Sequence, residues 1–261
     1  MAWILALLGL VLVYGAVVFF KFRYLRWRGK RRLHAALAAR PSRRSIAGEP
    51  QLTFVSPVTK PHVLATWLEA GLDDLDDPHA RILYPNTGEG AMVAARLFNH
   101  LAQEVKTPYV AFVHQDWRPI DRDWVSRTIA VFEETGCEMV VQVGIGEDKT
   151  QLVGEILDAF GGGGLRGVHK VHAPDEQCFV LRTEALRAHP FDEEALPEFH
   201  FYAVDYAQEV LRRGGAVYTN GALAYHDSAI GDLRHPSFQK AKEIMRRKWG
   251  EKAIRATTGW V

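Results

Sequence analysis

The sequence opens with a long apolar stretch and then alternates short apolar runs with longer amphipathic segments. No charged side chain occurs in residues 1–20, and about 20 apolar residues in a helix cover the ~30 Å hydrocarbon core of a bilayer. The pattern therefore predicts one membrane-spanning helix over residues 1–20. Further along the chain, apolar runs of about five residues predict strands, and apolar positions that recur with helical spacing predict helices.

This alternation predicts a single α/β domain over residues 51–261. The expected strands lie at 52–56, 81–84, 109–113, 139–143 and 177–181, and the expected helices at 61–70, 89–105, 123–135, 151–160, 202–213 and 238–248. Strands that alternate with helices at this spacing form a mostly parallel sheet covered by helices on both faces. Ligands of such sheets bind beyond the carboxyl ends of the strands.

The net charge of +1 hides two unlike parts of the chain. Residues 1–50 contain ten Lys or Arg and one acidic residue, so residues 51–261 carry 22 basic and 30 acidic residues, a net charge of −8. Residues 21–50 therefore form a basic juxtamembrane segment and linker. Because basic residues stay on the cytoplasmic side, we expect a single-pass inner-membrane protein with a cytoplasmic domain. A cleaved signal peptide would need its basic residues before the apolar run.

Three polar clusters follow apolar strands or open helices. The strand at 109–113 runs directly into His114-Gln115-Asp116, Asp205 lies in the first turn of the helix at 202–213, and Tyr225-His226-Asp227-Ser228 follows another apolar stretch. Each cluster has an ordinary structural explanation as a solvated helix cap, a helix N-terminal charge or a structural histidine. The two cysteines, Cys137 and Cys178, have no CxxC spacing and are expected to be buried small hydrophobes.

In this order and spacing, the clusters resemble the inverting family 2 glycosyltransferases of the GT-A fold, in the branch whose DxD motif is an HQD triplet. The similarity covers roughly residues 52–250 and implies a GT-A-like, mixed and mostly parallel sheet. Further segments match the family's motifs: Asn86-Thr87-Gly88-Glu89-Gly90 with Asn99, the strand from Asp175 to Arg182, Phe191-Asp192-Glu193, the helix start from His200 to Asp205, and Lys248-Trp249.

The resemblance implies a role for individual residues. Asp116 and His226 would bind Mn²⁺ or Mg²⁺, with imidazole favouring Mn²⁺, and Asp205 would be the catalytic base. A domain of charge −8 needs such a cation to hold a nucleotide diphosphate. The residues expected to contact substrate are Ser56, Pro57, Asn86, His114, Gln115, Asp175, His200 and Tyr202.

The implied function is a membrane-anchored inverting glycosyltransferase. It would use a nucleotide-sugar donor and a glycan or lipid-linked acceptor, contact membrane lipid through its N-terminal helix and basic segment, and bind no nucleic acid. Two alternatives are also compatible with the sequence. One is a non-catalytic nucleotide-binding scaffold of an envelope-assembly complex, and the other is a phosphodiester hydrolase, which would need a second metal and more clustered carboxylates.

Overall fold

The computed structural model describes residues 2–158, 162–196, 199–227 and 233–261, with the backbone alone for residues 2–13. The helices are α1 (Ala2–Ala38), α2 (Pro61–Leu64), a π-helical turn (Ala65–Glu69), α3 (Ala70–Leu72), α4 (Ala94–Ala102), α5 (Trp124–Thr135), α6 (Thr183–Ala188), α7 (Tyr202–Arg212) and α8 (Pro236–Trp249). The strands are β1 (Leu52–Val58), β2 (Ala80–Pro85), β3 (Tyr109–Val113), β4 (Trp117–Pro119), β5 (Met139–Val141), β6 (Val143–Gly146), β7 (Leu152–Gly154), β8 (Ile156–Asp158), β9 (Val171–Pro174), β10 (Cys178–Arg182), β11 (Val217–Thr219), β12 (Ala224–His226), β13 (Arg255–Ala256) and β14 (Gly259–Trp260).

A six-stranded sheet in the order β11-β5-β10-β3-β1-β2 forms the centre of the domain. Strand β10 is antiparallel to both of its neighbours, and the other pairs are parallel. The predicted mixed, mostly parallel sheet is therefore confirmed. Two three-stranded sheets, β4-β12-β8 and β7-β6-β9, flank it.

Both faces of the central sheet are covered by helices, as predicted. Along β3, Val110 and Phe112 pack with α4 and α7 in one core cluster, whereas Ala111 and Val113 pack with α5 and the helical segment before β2 in another. Side chains alternate between the faces of a strand, so this division shows that the sheet is buried on both sides. Both cysteines are buried and unpaired, as predicted.

Most of the predicted elements are present, but the helix predicted at 151–160 is wrong. Residues 152–158 instead form β7 and β8, and residues 159–160 lie outside the described part of the chain. The reason lies at Gly154, which has a φ of +93° and approaches the backbone of Gln142 so closely that a Cβ atom would lie 2.2 Å from its carbonyl oxygen. Glycine tolerates this left-handed backbone, which interrupts any helix. The helix predicted at 89–105 is shorter, covering Ala94–Ala102.

The N-terminal helix is longer than predicted and continues through the basic segment to Ala38. Within the residues that the structure describes, no helix is both long and apolar enough to cross a membrane. The side chains of residues 1–13, most of the predicted span, lie outside that part. The membrane-spanning helix thus stays a prediction.

Candidate functional site

The local chain path around β3 brings two separate sequence clusters together. His114, Gln115 and Asp116 follow the carboxyl end of β3 and lead directly into β4. Strand β4 pairs antiparallel with β12, so that His226 lies opposite Trp117, and the Asp227 backbone N–H donates to the Asp116 carbonyl oxygen at 3.0 Å. The sheet pairing therefore places His226 beside the HQD triplet, although more than a hundred positions separate them in sequence.

His114, Asp116 and His226 form a compact group of potential metal ligands. One ligand atom from each lies within 4.8 Å of the others. His226 Nε2 is 3.2 Å from Asp116 Oδ1, and His114 Nδ1 is 4.0 Å from the same oxygen. Yet His226 Nε2 is buried without an aligned hydrogen-bond partner. Such an unsatisfied nitrogen beside a carboxylate and a second imidazole fits a cation between them.

The charges in this group perturb one another. Burial disfavours the ionised form of Asp116, but its interaction with His226 and His114 outweighs burial and lowers its pKa to about 2. Burial also disfavours the imidazolium form of His226, whereas the Asp116 carboxylate raises the His226 pKa. The pKa of His114 is lowered, first by burial and then by His226. Asp116 is thus an anion at neutral pH, as a metal ligand requires.

A cavity of about 540 Å³ opens beside the cluster. Its walls include Pro57 near the carboxyl end of β1, Asn86 directly after β2, and the HQD triplet directly after β3, together with Thr59 and Phe199. These positions lie at the carboxyl ends of neighbouring strands, where α/β sheets bind nucleotides. The structure therefore brings five of the predicted substrate and metal residues to one cavity, namely Pro57, Asn86, His114, Gln115 and Asp116.

The amide side chains of Gln115 and Asn86 already brace the walls of this cavity. Gln115 Oε1 accepts from the backbone N–H groups of Thr59 and Lys60 at 3.1 and 2.8 Å, and its Nε2 donates to Thr59 Oγ1 at 2.7 Å. Asn86 exchanges two hydrogen bonds with the Met92 backbone at 2.8 and 2.9 Å. Both side chains shape the loops after β1 and β2, a role that the sequence did not indicate.

Tyr202 and Asp175 join the cluster from other elements. The Tyr202 hydroxyl lies 3.1 Å from His114 Nε2 and donates to the Glu176 carbonyl oxygen at 3.2 Å. Asp175, in the loop between β9 and β10, is close enough to raise the pKa of both His114 and His226, although other groups have larger effects. These two predicted residues therefore lie within the electrostatic reach of the candidate metal site.

Two other predicted contacts do not reach the cavity. The Ser56 side chain is completely buried within β1 and its hydroxyl has no hydrogen-bond partner, so it is not accessible to a nucleotide. His200 lies beside α8, where its Nε2 is 3.1 Å from Ser237 Oγ and its ring contacts Phe238. In this structure neither Ser56 nor His200 lines the cavity, so their predicted contact with substrate has no support from its geometry. Ser228 of the third motif lies outside the described residues.

Asp205 points away from the cluster and into a different network. Its carboxylate is only 6% exposed and accepts from Lys248 Nζ at 2.9 Å and from Trp249 Nε1 at 2.7 Å. It lines a second cavity behind Tyr202 that includes neither His114, Asp116 nor His226. Lys248 and Trp249 thus hold the Asp205 carboxylate in place, and these contacts do not support Asp205 as the catalytic base.

Glu176 is a site residue that sequence reasoning missed. Its two carboxylate oxygens accept from the backbone N–H groups of Phe201 and Ala203 at 2.9 and 3.0 Å, at the start of α7. Burial nevertheless raises its pKa to about 8, because these donors only partly offset the loss of hydration. No local pattern signals this contact, since the capping residue lies far from the helix in sequence.

This raised pKa predicts a pH-dependent stability. Glu176 holds its proton in the folded state up to about pH 8, whereas it ionises near 4.5 when unfolded, so the stability it contributes is full below pH 4.5 and is lost as the pH rises through 8. We expect the free energy of unfolding to fall by up to about 4 kcal/mol between pH 5 and 8. Urea unfolding should show a flatter pH profile for Glu176→Gln, while the exposed control Glu184→Gln should behave like the parent. An unchanged slope in Glu176→Gln would contradict this assignment.

Comparison with known proteins identifies the fold. No family model and no curated protein matches this sequence. A mannosyltransferase from Pyrobaculum calidifontis, PcManGT, whose structure contains GDP-Man and Mn²⁺, has a TM-score of 0.52 at 12% identity, over 90% of this chain and 72% of that one. GalNAc-T7, whose structure contains UDP, GalNAc and Mn²⁺, has a TM-score of 0.57 at 8% identity. The chain has the fold of these GT-A glycosyltransferases.

The similar structures share the fold with this chain over different fractions of their length. The alignment with GalNAc-T7 covers 78% of this chain but only 50% of that protein. At 8 and 12% identity the similarity establishes the predicted GT-A-like fold and leaves the reaction to the residues of the site. Within the described residues, one group of three side chains is placed to hold a metal ion, namely His114, Asp116 and His226. A two-metal phosphodiester hydrolase would need ligands for a second ion, so the structure gives no support to that alternative.

Proposed function

We propose that this protein is a metal-dependent glycosyltransferase that transfers a sugar from a nucleotide donor with inversion. The observation that carries the proposal is the His114-Asp116-His226 cluster beside a nucleotide-sized cavity at the carboxyl ends of β1, β2 and β3. The glycosyltransferase fold supports it, and the two related structures contain nucleotides or nucleotide sugars with Mn²⁺.

The donor set suits Mn²⁺ better than Mg²⁺. Asp116 supplies a carboxylate oxygen, and His114 and His226 supply imidazole nitrogens, which transition ions bind more readily than Mg²⁺ does. A bound cation would offset the charge of the departing nucleoside diphosphate. Residues 51–261 carry a net charge of −8, so the domain on balance repels a diphosphate, and a bound cation would offset this repulsion.

Asp175 is the better-placed candidate for the catalytic base. Unlike Asp205, it acts electrostatically on both histidines of the cluster, and its carboxylate is positioned by Thr257 Oγ1 at 2.9 Å and by the Gln177 N–H at 3.2 Å. In the proposed reaction the acceptor hydroxyl oxygen bonds to the sugar C1 as the C1–O bond to the diphosphate breaks. The hydroxyl proton passes to Asp175, and the diphosphate carries away the bonding electron pair.

The location and the acceptor extend the proposal. The uncharged residues 1–20 followed by seven basic residues between positions 21 and 32 support a membrane anchor with the domain on the cytoplasmic face. A tethered enzyme gains effective concentration for an acceptor in the same membrane. We therefore propose a glycan or lipid-linked acceptor in cell-envelope assembly.

A non-catalytic scaffold is the second candidate. It is favoured by the hydrogen bonds that already engage Gln115, Asn86 and Asp205, and by His114 at the position where the family's motif has an acid. Such a protein would bind a nucleotide without turning it over.

A donor panel separates the two candidates. Purified full-length protein is incubated with GDP- and UDP-sugars plus Mn²⁺ or Mg²⁺, and release of nucleoside diphosphate is measured together with the thermal shift that each nucleotide produces. Release that requires the metal supports the transferase, whereas a metal-dependent thermal shift without release supports the scaffold. Neither signal with any donor would contradict both.

A further inference from the structure

Helix α1 is docked firmly on the domain through its C-terminal half. Leu33 is buried against Trp67, Ile120 and Tyr225 in a small apolar cluster, and Lys30 Nζ lies 5.7 Å from the Trp67 ring centre. The Trp67 and Tyr225 rings pack against each other with centroids 5.1 Å apart and their planes tilted by 35°. The part of the basic segment that lies in the C-terminal half of α1 is thus packed against the domain.

The contacts at the two ends of this half define the direction of the helix. Just past its C-terminus, Arg40 donates to the Leu37 and Ile120 carbonyl oxygens, and the Ile120 N–H donates to the Leu223 carbonyl oxygen at 2.9 Å. Toward the N-terminus, Arg26 pairs with Asp227 at 3.3 Å. The helix from Leu37 back to Arg26 spans about 16 Å, and the strand from Leu223 to Asp227 about 13 Å. Going toward its N-terminus, α1 therefore runs beside β12 toward the end that carries His226.

As a result, α1 leaves the domain at the same edge as the His114-Asp116-His226 cluster. Asp227, which Arg26 contacts, follows His226 directly and bonds through its backbone N–H to Asp116. The part of α1 before Arg26 projects beyond this edge. On the opposite edge of the central sheet lie the start of β3 and the preceding Lys106.

The projecting part exposes an unusual set of side chains. Tyr14 and Phe20 are 73% and 67% exposed, and the exposed large apolar side chains of residues 14–27 are Tyr14, Val17, Phe19, Phe20, Phe22, Tyr24 and Trp27. The last three are interleaved with the basic residues of positions 21–32, and no acidic residue occurs before Glu49. Exposed aromatic rings with basic side chains and no acids match the interface of a bilayer that contains anionic lipid.

We propose that this surface of α1, residues 14–32, binds an anionic lipid bilayer and holds the His114-Asp116-His226 cluster facing that bilayer. Arg26 lies about 9 Å along the helix from Phe20, and the headgroup region of one leaflet is about 5–8 Å thick. With Phe20 at the hydrocarbon boundary, Arg26 and the cavity beside Asp116 then lie at the outer edge of the lipid headgroups. Resting on the transferase activity proposed above, this assigns the acceptor class: an amphiphile whose hydroxyl group stands at the outer edge of the headgroup layer.

Energy transfer to labelled lipids tests the orientation. The full chain carries a donor fluorophore on Phe199→Cys, in the wall of the cavity, or on Lys106→Cys at the opposite edge. Cys137 and Cys178 are buried and should not compete for the label. In vesicles of 70% phosphatidylcholine and 30% phosphatidylglycerol with rhodamine-labelled lipid, we expect at least about twofold higher transfer from position 199 than from position 106. Equal transfer, higher transfer from 106, or no vesicle binding would overturn the proposal.

An insertion gives a matched control. Seven helix-forming residues inserted after Tyr24 raise the domain by about 10 Å and nearly preserve the helix face. The same seven residues inserted after the exposed Gly48, beyond the docked half of α1, should leave the height of the domain above the bilayer unchanged. Transfer from position 199 should fall at least about twofold only with the first insertion; no fall, or an equal fall with both, would overturn the proposal. Mn²⁺-dependent binding of nucleoside diphosphate, measured on unlabelled chains that keep Phe199, should be the same with and without each insertion. Its absence from the unlabelled parent chain would instead count against the proposed function.

Discussion

Replacing Asp116 with alanine is expected to lower Mn²⁺ affinity at least about 100-fold and to abolish metal-dependent nucleotide binding. Asp116 is the carboxylate of the cluster, and its Oδ1 faces both His226 and His114. Without it the two imidazoles carry no negative charge to balance a divalent cation. Mn²⁺ titration followed by electron paramagnetic resonance measures the affinity, and the thermal shift with a nucleoside diphosphate measures the coupled site.

Two variants make this result specific. Asp148→Ala removes an exposed carboxylate whose partner is Thr150 and should leave Mn²⁺ binding unchanged. His226→Ala should weaken binding as well, because its buried Nε2 is proposed to ligate the ion. Circular dichroism confirms that each variant is folded. Parent-like Mn²⁺ affinity in folded Asp116→Ala would remove the metal site from the proposal.

Asp205→Ala is expected to lower the free energy of unfolding by about 3 kcal/mol. The change leaves Trp249 Nε1 without its acceptor and removes the carboxylate closest to Lys248, which retains Asp192 at 3.1 Å and Glu209 at 3.6 Å. Burial raises the pKa of Asp205 even with these donors present. The cost of burying the carboxylate therefore offsets part of the stability that its two hydrogen bonds contribute. Urea unfolding at neutral pH measures the loss.

The amide variants then decide between Asp205 and Asp175 as the base. If Asp205 is structural, folded Asp205→Asn keeps nearly full sugar transfer, whereas Asp175→Asn loses about 10²–10⁴-fold. The reverse pattern would restore Asp205 as the base. Trp249→Phe, which removes only the indole N–H and some ring area, should reproduce part of the stability loss of Asp205→Ala and none of the loss of transfer.

Local patterns were sufficient for much of the architecture. The five predicted strands and most of the helices follow from apolar runs and helical periodicity, because burial on one or both faces imposes those periods directly. The order of the polar clusters indicated the GT-A-like fold, and Asp116 with His226 was paired correctly in space. The failure at 152–158 came from apolar residues whose spacing fits a helix as well as a strand, with Gly154 deciding for the strand.

The roles of polar side chains required tertiary contacts. Gln115 and Asn86 lie at the cavity as expected. Their amide groups, however, form hydrogen bonds with the backbone of Lys60 and Met92, and the local sequence does not predict these contacts. Asp205 matched a motif by position, yet α8 brings Lys248 and Trp249 onto its carboxylate. Glu176 reaches the start of α7 from another loop. A one-dimensional pattern holds no information about which donor arrives from a distant segment.

The sequence by itself determined the α/β alternation, the segregation of charge between residues 1–50 and the rest, and the residue types able to bind a cation. These properties depend on local periodicity and composition. Only the tertiary structure decided which carboxylates face the cluster and that α1 leaves the domain at the edge carrying His226. Side-chain direction and helix docking depend on long-range packing and sheet register, which bring together residues that local sequence cannot relate.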